Sequence, residues 1–290
     1  LKAPDFNYIK ASSLEQVFTL LEQLRDEAQI LAGGQSLIPM LNLRMANPKT
    51  LIDITGLHDL RDIRQSADRI TIGALTTHSE ILSSRVIKQF VPLLAQAAPH
   101  VAHMAIRNSG TIGGSMALAD PAAEYPAVAM ALNAQIVLRG REGERRVSAE
   151  DFFQGLYKTA INPDEVLIAV EFPCYTTNQR TNFTELARRK GDYAMVGVAV
   201  NLSLQGSTVS SARVVFMAIE DKPVIAQNTM RALINQPLST FKPQLSHEIL
   251  QALEKDISPW DDLQVTGSTK THLAGVILGR SLHELAGQNV

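Results

Sequence analysis

The amino-acid sequence predicts a mixed α/β protein of the α+β type, and three features carry that expectation. Residues 1–55 alternate strand and helix signals, 56–175 mix hairpin patterns with short helices, and the remainder opens on two long strand patterns before turning helical. In the first segment, Phe6 to Ile9 reads as a strand. Ser13 followed by Gln16 is a capping-box pattern, and Leu14, Val17, Phe18, Leu21 and Leu24 form one apolar helical face. Gln29 to Ala32 is a short strand ended by Gly33 and Gly34. A second helix carrying Leu37, Met40, Leu41 and Leu43 leads to the strand Thr50 to Ile54, and this β-α-β-α-β order predicts a small parallel sheet.

Ile63 to Gln65 and Arg69 to Gly73 form a hairpin pattern, and Thr77 with Glu80 makes another capping box. Pro121 to Leu132 reads as a helix. Gln135 to Leu138 and Arg145 to Val147 pair through a turn at Gly140 to Gly143, and Glu165 to Phe172 is a strand closed by Pro173. The polar, turn-prone stretch Tyr175 to Thr181 marks a boundary. Beyond it come strands at Met195 to Leu204 and Val209 to Ile219, then helices, including Thr269 to Leu285.

Composition narrows the function classes. The chain has 290 residues, 45% hydrophobic and 19% charged, with 27 basic against 29 acidic side chains. A net charge of −2 supplies no field for nucleic acid or anionic lipid. Cys174 is the one cysteine, which excludes an internal disulfide and any thiolate-ligated zinc or iron–sulfur site in this chain. The most apolar stretch, Pro126 to Leu138, is broken by Asn133 and Gln135, so no membrane span is expected. Leu1-Lys2-Ala3-Pro4-Asp5 lacks a signal peptide's apolar run, and the expected location is the cytoplasm.

Two glycine-rich loops hold the candidate chemistry. Ala32, Gly33, Gly34, Gln35, Ser36 and Leu37 lie between a strand and a helix, where bare backbone and free N–H groups suit a phosphate; a plain tight turn is an equal alternative. Thr111, Ile112, Gly113, Gly114 and Ser115, preceded by Arg107, Asn108 and Gly110, suit a diphosphate in the same way, against a turn or bulge. Neither loop is a G-x-G-x-x-G fingerprint or a lysine-bearing P-loop. His100 and His103 could share a helix face but read as hydrogen-bonding residues rather than metal ligands. His78 could approach a ligand or serve a helix start. Arg139, Arg141, Arg145 and Arg146, interleaved with Glu142 and Glu144, read as a solvated turn. Tyr193, after the charged turn Arg188-Arg189-Lys190, could lie over a flat ligand or pack on the core. No Ser-His-Asp or Cys-His set assembles, so hydrolytic catalysis is not indicated.

The stretches AGGQSLIPMLNLRMANPKTLIDI (32–54), TIGALTTHSEI (71–81), IRNSGTIGGSMALADPAAEYPAVAMALNA (106–134), DEVLIAVEFP (164–173), ARRKGDYAMVGVAV (187–200) and GSTKTHLAGVILGRSL (267–282) resemble one family in order over nearly the whole chain. That family is the FAD-binding medium subunits of molybdenum hydroxylases, the xanthine dehydrogenase and carbon monoxide dehydrogenase group. The resemblance implies a two-subdomain FAD-binding module of the vanillyl-alcohol-oxidase/PCMH type over 1–175, divided into 1–55 and 56–175. A C-terminal antiparallel sheet with a helical cluster over 176–290 would follow it. It also implies that 32–37 and 111–115 hold the FAD diphosphate and neighbouring ribityl groups. Glu124 stands where the family usually has aspartate, near the adenosine or ribose. Leu167 or Ile168 would line the adenine or flavin pocket, and Tyr193 would shield one face of the isoalloxazine. No catalytic acid or base and no metal ligand is expected in this chain.

Relatives that reduce aromatic thioesters insert a cysteine-rich segment for an extra cluster, which a chain with Cys174 alone cannot hold. The partners implied are a large subunit with a molybdenum cofactor, where substrate is hydroxylated, and a small subunit with two [2Fe–2S] clusters. A dimer of heterotrimers is the expected assembly. N-heteroaromatics, purines, aldehydes and carbon monoxide stay open as substrates, and so does the final acceptor. The competing readings are a self-sufficient FAD-dependent oxidoreductase acting directly on a small organic donor, and a nucleotide-binding or scaffold protein without redox function.

Overall fold

The computed structural model describes residues 2–263 and 265–287. The chain opens with β1 (Asn7–Lys10), α1 (Leu14–Leu24), β2 (Ala28–Leu31), α2 (Leu37–Asn42) and β3 (Thr50–Asp53). The strands form a three-stranded sheet in the order β1-β3-β2, parallel throughout. Val17, Phe18 and Leu21 of α1 pack with Ile52 and Ile54 in one apolar cluster. Ser13 caps α1 by accepting the Gln16 N–H. The return bond of the expected box runs one residue earlier, because Gln16 Oε1 accepts from both the backbone and the hydroxyl of Ser12.

Next come β4 (Ile63–Gln65), β5 (Arg69–Gly73), α3 (His78–Ser83), α4 (Arg85–Phe90), α5 (Pro92–Ala97), α6 (Met104–Arg107), α7 (Ile112–Leu118) and α8 (Glu124–Ala131). They are followed by β6 (Gln135–Gly140), β7 (Gly143–Ser148), α9 (Ala149–Phe152), β8 (Phe153–Gly155), β9 (Lys158–Thr159) and β10 (Val166–Pro173). An antiparallel sheet of order β4-β5-β10-β6-β7 results. The Thr77–Glu80 capping box is complete in both directions. The arginine-rich hairpin is more than a solvated turn. Arg145 makes a two-pronged pair with Glu165 at 2.6 and 2.7 Å, and Arg146 grips Glu171 on β10. Arg146 reaches over β6 to Glu171 and Arg145 reaches Glu165 just before β10, contacts between segments that are not neighbours in the sheet and that the local alternation of charge did not reveal.

The chain ends with β11 (Gln179–Ala187), β12 (Ala194–Gln205), β13 (Thr208–Met217), β14 (Val224–Ile225), α10 (Gln227–Leu233), α11 (His247–Asp256) and α12 (Gly267–Gly287). The strands form an antiparallel sheet in chain order. Strand alternation sends Val196, Val198, Val200 and Leu202 into a cluster with the C-terminal helices, while Ala199 joins the core around α8. β11 was not expected from the sequence. Its Asn182 is buried because it donates to Glu284 at 2.7 Å and accepts from the Ser281 hydroxyl on α12. Partners distant in the chain satisfy polarity that locally reads as a turn. Among the described residues, no helix is long and apolar enough to cross a membrane.

Candidate functional site

The first glycine loop leaves β2 and turns into α2. Gly34 has φ +70°, a left-handed conformation that L side chains rarely adopt. A Cβ on Gly33 would lie 2.1 Å from the Ser109 carbonyl oxygen and 2.8 Å from Gly110 Cα. The two glycine loops, about 75 residues apart in sequence, therefore touch backbone to backbone. Among the described residues, the N–H groups of Gly34, Gln35 and Ser36 have no acceptor within the chain, and the Ser36 hydroxyl makes no capping bond to α2.

The second loop is stapled to the β5–α3 connection. His78 N–H donates to Gly110 O at 3.0 Å, Ile112 N–H to Thr76 O at 3.0 Å, and Gly113 N–H to Ala74 O at 2.9 Å. Thr111 Oγ1 accepts the Gly114 N–H at 3.1 Å, so this hydroxyl caps α7. A Cβ on Gly113 would strike Ala74 Cβ at 2.5 Å, a packing constraint. Among the described residues beyond its own helix, a Cβ on Gly114 would meet only Thr111 Oγ1, at 3.1 Å, within 4 Å.

Both loops line one cavity of about 890 Å³, which lies within the range of cofactor pockets. All of 32–37, together with Thr111, Gly113, Gly114, Ser115, Glu124 and Tyr193, lie on its wall. Two expected residues do not. Ile112 is fully buried in the central core, with its N–H spent on Thr76. Ile168 sits at a register shift in β10 and packs against the N-terminal cluster, leaving Leu167 to face the cavity. Sequence reasoning missed Arg25, Asp120 and Tyr157 on the wall. Asp120, an aspartate before Pro121 that accepts the Ala122 N–H, is a turn signal that could have been weighed.

The cavity carries little compensating positive charge. Among the described residues Arg25 is the one lysine or arginine on its wall, against Asp26, Asp120, Glu124, Glu165 and Asp192. His78 supplies no cation either. Burial, with Arg107 adding repulsion, pulls it down to about 4, and its ring meets Tyr125 edge-on at 5.1 Å. Burial pushes Asp120 upward despite the Ala122 N–H bond. It pushes Glu124 up to about 8, helped by Glu185 and Asp120. Tyr193 remains 66% exposed. Protein packed around it and the neighbouring Asp120 charge raise its phenol.

His100 and His103 do not share a helix face. His100 lies in the turn after α5 and His103 is the residue just before α6, with no capping bond from its ring. His100 Nδ1 sits 3.2 Å from Glu185 Oε1, its ring tilts against Phe183, and the His103 ring packs at Gly191. The i, i+3 spacing falls across a turn that the helical reading ignored.

These features suit a dianionic dinucleotide held by main chain rather than by lysine or arginine. Open N–H groups stand at the junction of the loops, Gly114 leaves space for close approach, and one cavity wall includes both Arg25 and Tyr193. Comparison with known proteins agrees. The family model for the FAD-binding domain in molybdopterin dehydrogenase matches residues 4–175, and the carbon monoxide dehydrogenase flavoprotein C-terminal domain matches 181–285. The chain is 35% identical to the glyceraldehyde dehydrogenase medium chain of Sulfolobus acidocaldarius, covering 98% of this chain and 99% of the relative. It is 37% identical to the 6-hydroxypseudooxynicotine dehydrogenase complex subunit alpha of Paenarthrobacter nicotinovorans, over 98% and 96% of the two chains. Among solved structures, carbon monoxide dehydrogenase from Hydrogenophaga pseudoflava superposes with a TM-score of 0.92 at 34% identity, over 97% of both chains. With cavity, loops and both halves of the sequence in agreement, the chain belongs to the FAD-binding medium subunits of the molybdenum hydroxylases and is an oxidoreductase flavoprotein.

Proposed function

We propose that this chain is the electron-transfer subunit of a cytoplasmic three-subunit complex, assembled as a dimer of heterotrimers. Electrons leave a molybdenum cofactor in a large subunit, where substrate is hydroxylated. They cross two [2Fe–2S] clusters in a small subunit, reach FAD here, and pass to an external acceptor. FAD, when bound, accepts electrons singly and releases them in pairs. The observation that carries the reading is the backbone contact of Gly33 with Ser109, which brings two phosphate-suited loops to one cavity.

The residues divide the work along that cavity. The open N–H groups at 34–36 and the backbone of 113–115 would hold the diphosphate. Leu167 would give apolar contact, and the exposed Tyr193 ring would cover one flavin face and control access to it. The division at residue 175 would separate a cofactor-binding unit, itself split near residue 55, from the sheet-and-helix unit behind it. The relatives are named for glyceraldehyde, 6-hydroxypseudooxynicotine and carbon monoxide, chemically unlike compounds. Such variety on one flavoprotein scaffold supports substrate selection in a different chain.

Native purification with cofactor analysis tests this. Molybdenum and iron are expected to accompany the flavin and to separate with distinct polypeptides. Turnover of an organic donor by the isolated flavin-loaded chain would replace the proposal with a self-sufficient oxidoreductase.

A further inference from the structure

Glu124 is the first residue of α8 and faces the cavity, with other acidic groups around it. Asp120 stands in the turn before the helix and Glu185 on β11. Glu185 has one oxygen on His100 at 3.2 Å, while its other oxygen, Oε2, is buried with no hydrogen-bond partner among the described residues. Tyr157 and Tyr193 approach Asp120 from the β8–β9 turn and the segment before β12, both with pKa values raised above the usual tyrosine value. On the other side lies Tyr125, contacted by His78 and influenced by Arg107. Helices α5 and α7, packed on α8, bring no titratable side chain. Arg213 of β13 sits at the far end of α8, bonded to Met130 O and to Glu150 of α9. Among the described residues, the charges that act on Glu124 are those of Glu185 and Asp120, both acidic.

A dinucleotide entering this cavity brings two negative charges and displaces the water that reaches Glu124 through the open side. An ionised Glu124 would then share one cavity with both phosphates, with Asp120 and Glu185 beside it, in a medium of low dielectric where like charges repel strongly. A protonated carboxyl has none of that cost and can donate a hydrogen bond to a cofactor oxygen. The free protein is already close to this state, since burial and the Glu185 and Asp120 charges push Glu124 up to about 8.

We propose that FAD binding to this chain is proton-linked through Glu124: the cavity takes the dianion together with one proton held on that carboxyl. The balance is protein–COO⁻ plus H⁺ from the medium plus FAD²⁻, giving protein–COOH with FAD²⁻ bound. No proton moves when the acid is already neutral. This deepens the FAD reading of the cavity and rests on it.

Isothermal titration of the apo chain with FAD, repeated in phosphate and in Tris, reads proton uptake from the difference in buffer ionisation heat. Near-zero uptake is expected at pH 6.5 and close to one proton per FAD at pH 9, with Kd about tenfold weaker at pH 9 than at pH 7. Glu124→Gln should abolish the uptake and flatten the Kd profile. Glu185→Gln, which removes a repelling charge, should shift the onset of uptake to lower pH, and it serves as the second variant if Glu124→Gln does not fold. Absent uptake at pH 9, or uptake unchanged in Glu124→Gln, would overturn the linkage while leaving the cofactor assignment intact. FAD that fails to bind at every pH would instead defeat the cofactor assignment.

Discussion

Gly114 and Tyr193 separate function from folding at single positions. A Cβ at 114 would meet the Thr111 hydroxyl at 3.1 Å and nothing else among the described residues within 4 Å beyond its own helix, so with valine there the fold should survive and the cofactor should not fit. Gly114→Val is expected to weaken FAD by about a hundredfold, about 3 kcal/mol, with a melting temperature close to wild type. Equilibrium binding and thermal denaturation of the same preparation check both halves. Gly33 would be a poorer probe, because its Cβ would strike the Ser109 carbonyl and disturb the junction itself. Tyr193→Ala removes a largely exposed ring from the cavity mouth. It should change the bound flavin's absorption spectrum and midpoint potential while shifting stability by less than about 0.5 kcal/mol. An unaltered potential would reduce Tyr193 to a surface aromatic.

At the scale of elements, the long C-terminal helix is tied to an edge strand by side chains rather than by apolar packing alone. Asn182 of β11 joins Ser281 and Glu284 of α12, and Ser281 is fully buried. Asn182→Ala would leave the Ser281 hydroxyl and part of the Glu284 carboxylate without a partner. A loss of about 1–3 kcal/mol is expected in urea denaturation, with FAD affinity unaffected because the network lies outside the cavity wall. Lys270 makes a similar anchor from the start of α12. It is 2% exposed, donates to Ala218 O at 3.0 Å, and pairs with Asp262 at 2.7 Å. Both cases show polar residues set where two elements meet, holding the helix in one register against the sheet.

Across the molecule, His78 and Glu124 give the apo chain a pH signature of opposite signs. His78 falls from an unfolded value of 6.5 to about 4 in the fold. The unfolded chain binds the extra proton between those values, so stability is lost as pH falls from 6.5 towards 4. Glu124 rises from 4.5 to about 8. The folded chain now holds the extra proton, so its contribution is lost as pH rises from 4.5 through 8. The two slopes oppose one another between pH 4.5 and 6.5, and between 6.5 and 8 Glu124 acts alone. Stability of the apo protein should fall by about 2 kcal/mol across that upper interval, and Glu124→Gln should remove this fall. Denaturation curves at stepped pH decide it.

Local pattern alone determined much of this protein. Apolar periodicity placed α1, the β4–β5 hairpin and strands β12 and β13, and Ser13 and Thr77 marked helix starts that the chain uses. Such features depend on neighbours within a few residues, which the sequence displays directly. The glycine loops were legible as loops, and the family resemblance joined them to one cofactor. Tertiary structure decided what depends on distant partners. It placed Gly33 against Ser109, turned Leu167 rather than Ile168 to the cavity, and began a strand, Gln179–Ala187, inside the polar stretch Tyr175 to Thr181 that reads as a turn. It also surrounded Glu124 with Asp120 and Glu185, whose charges act through space and leave no trace in sequence spacing.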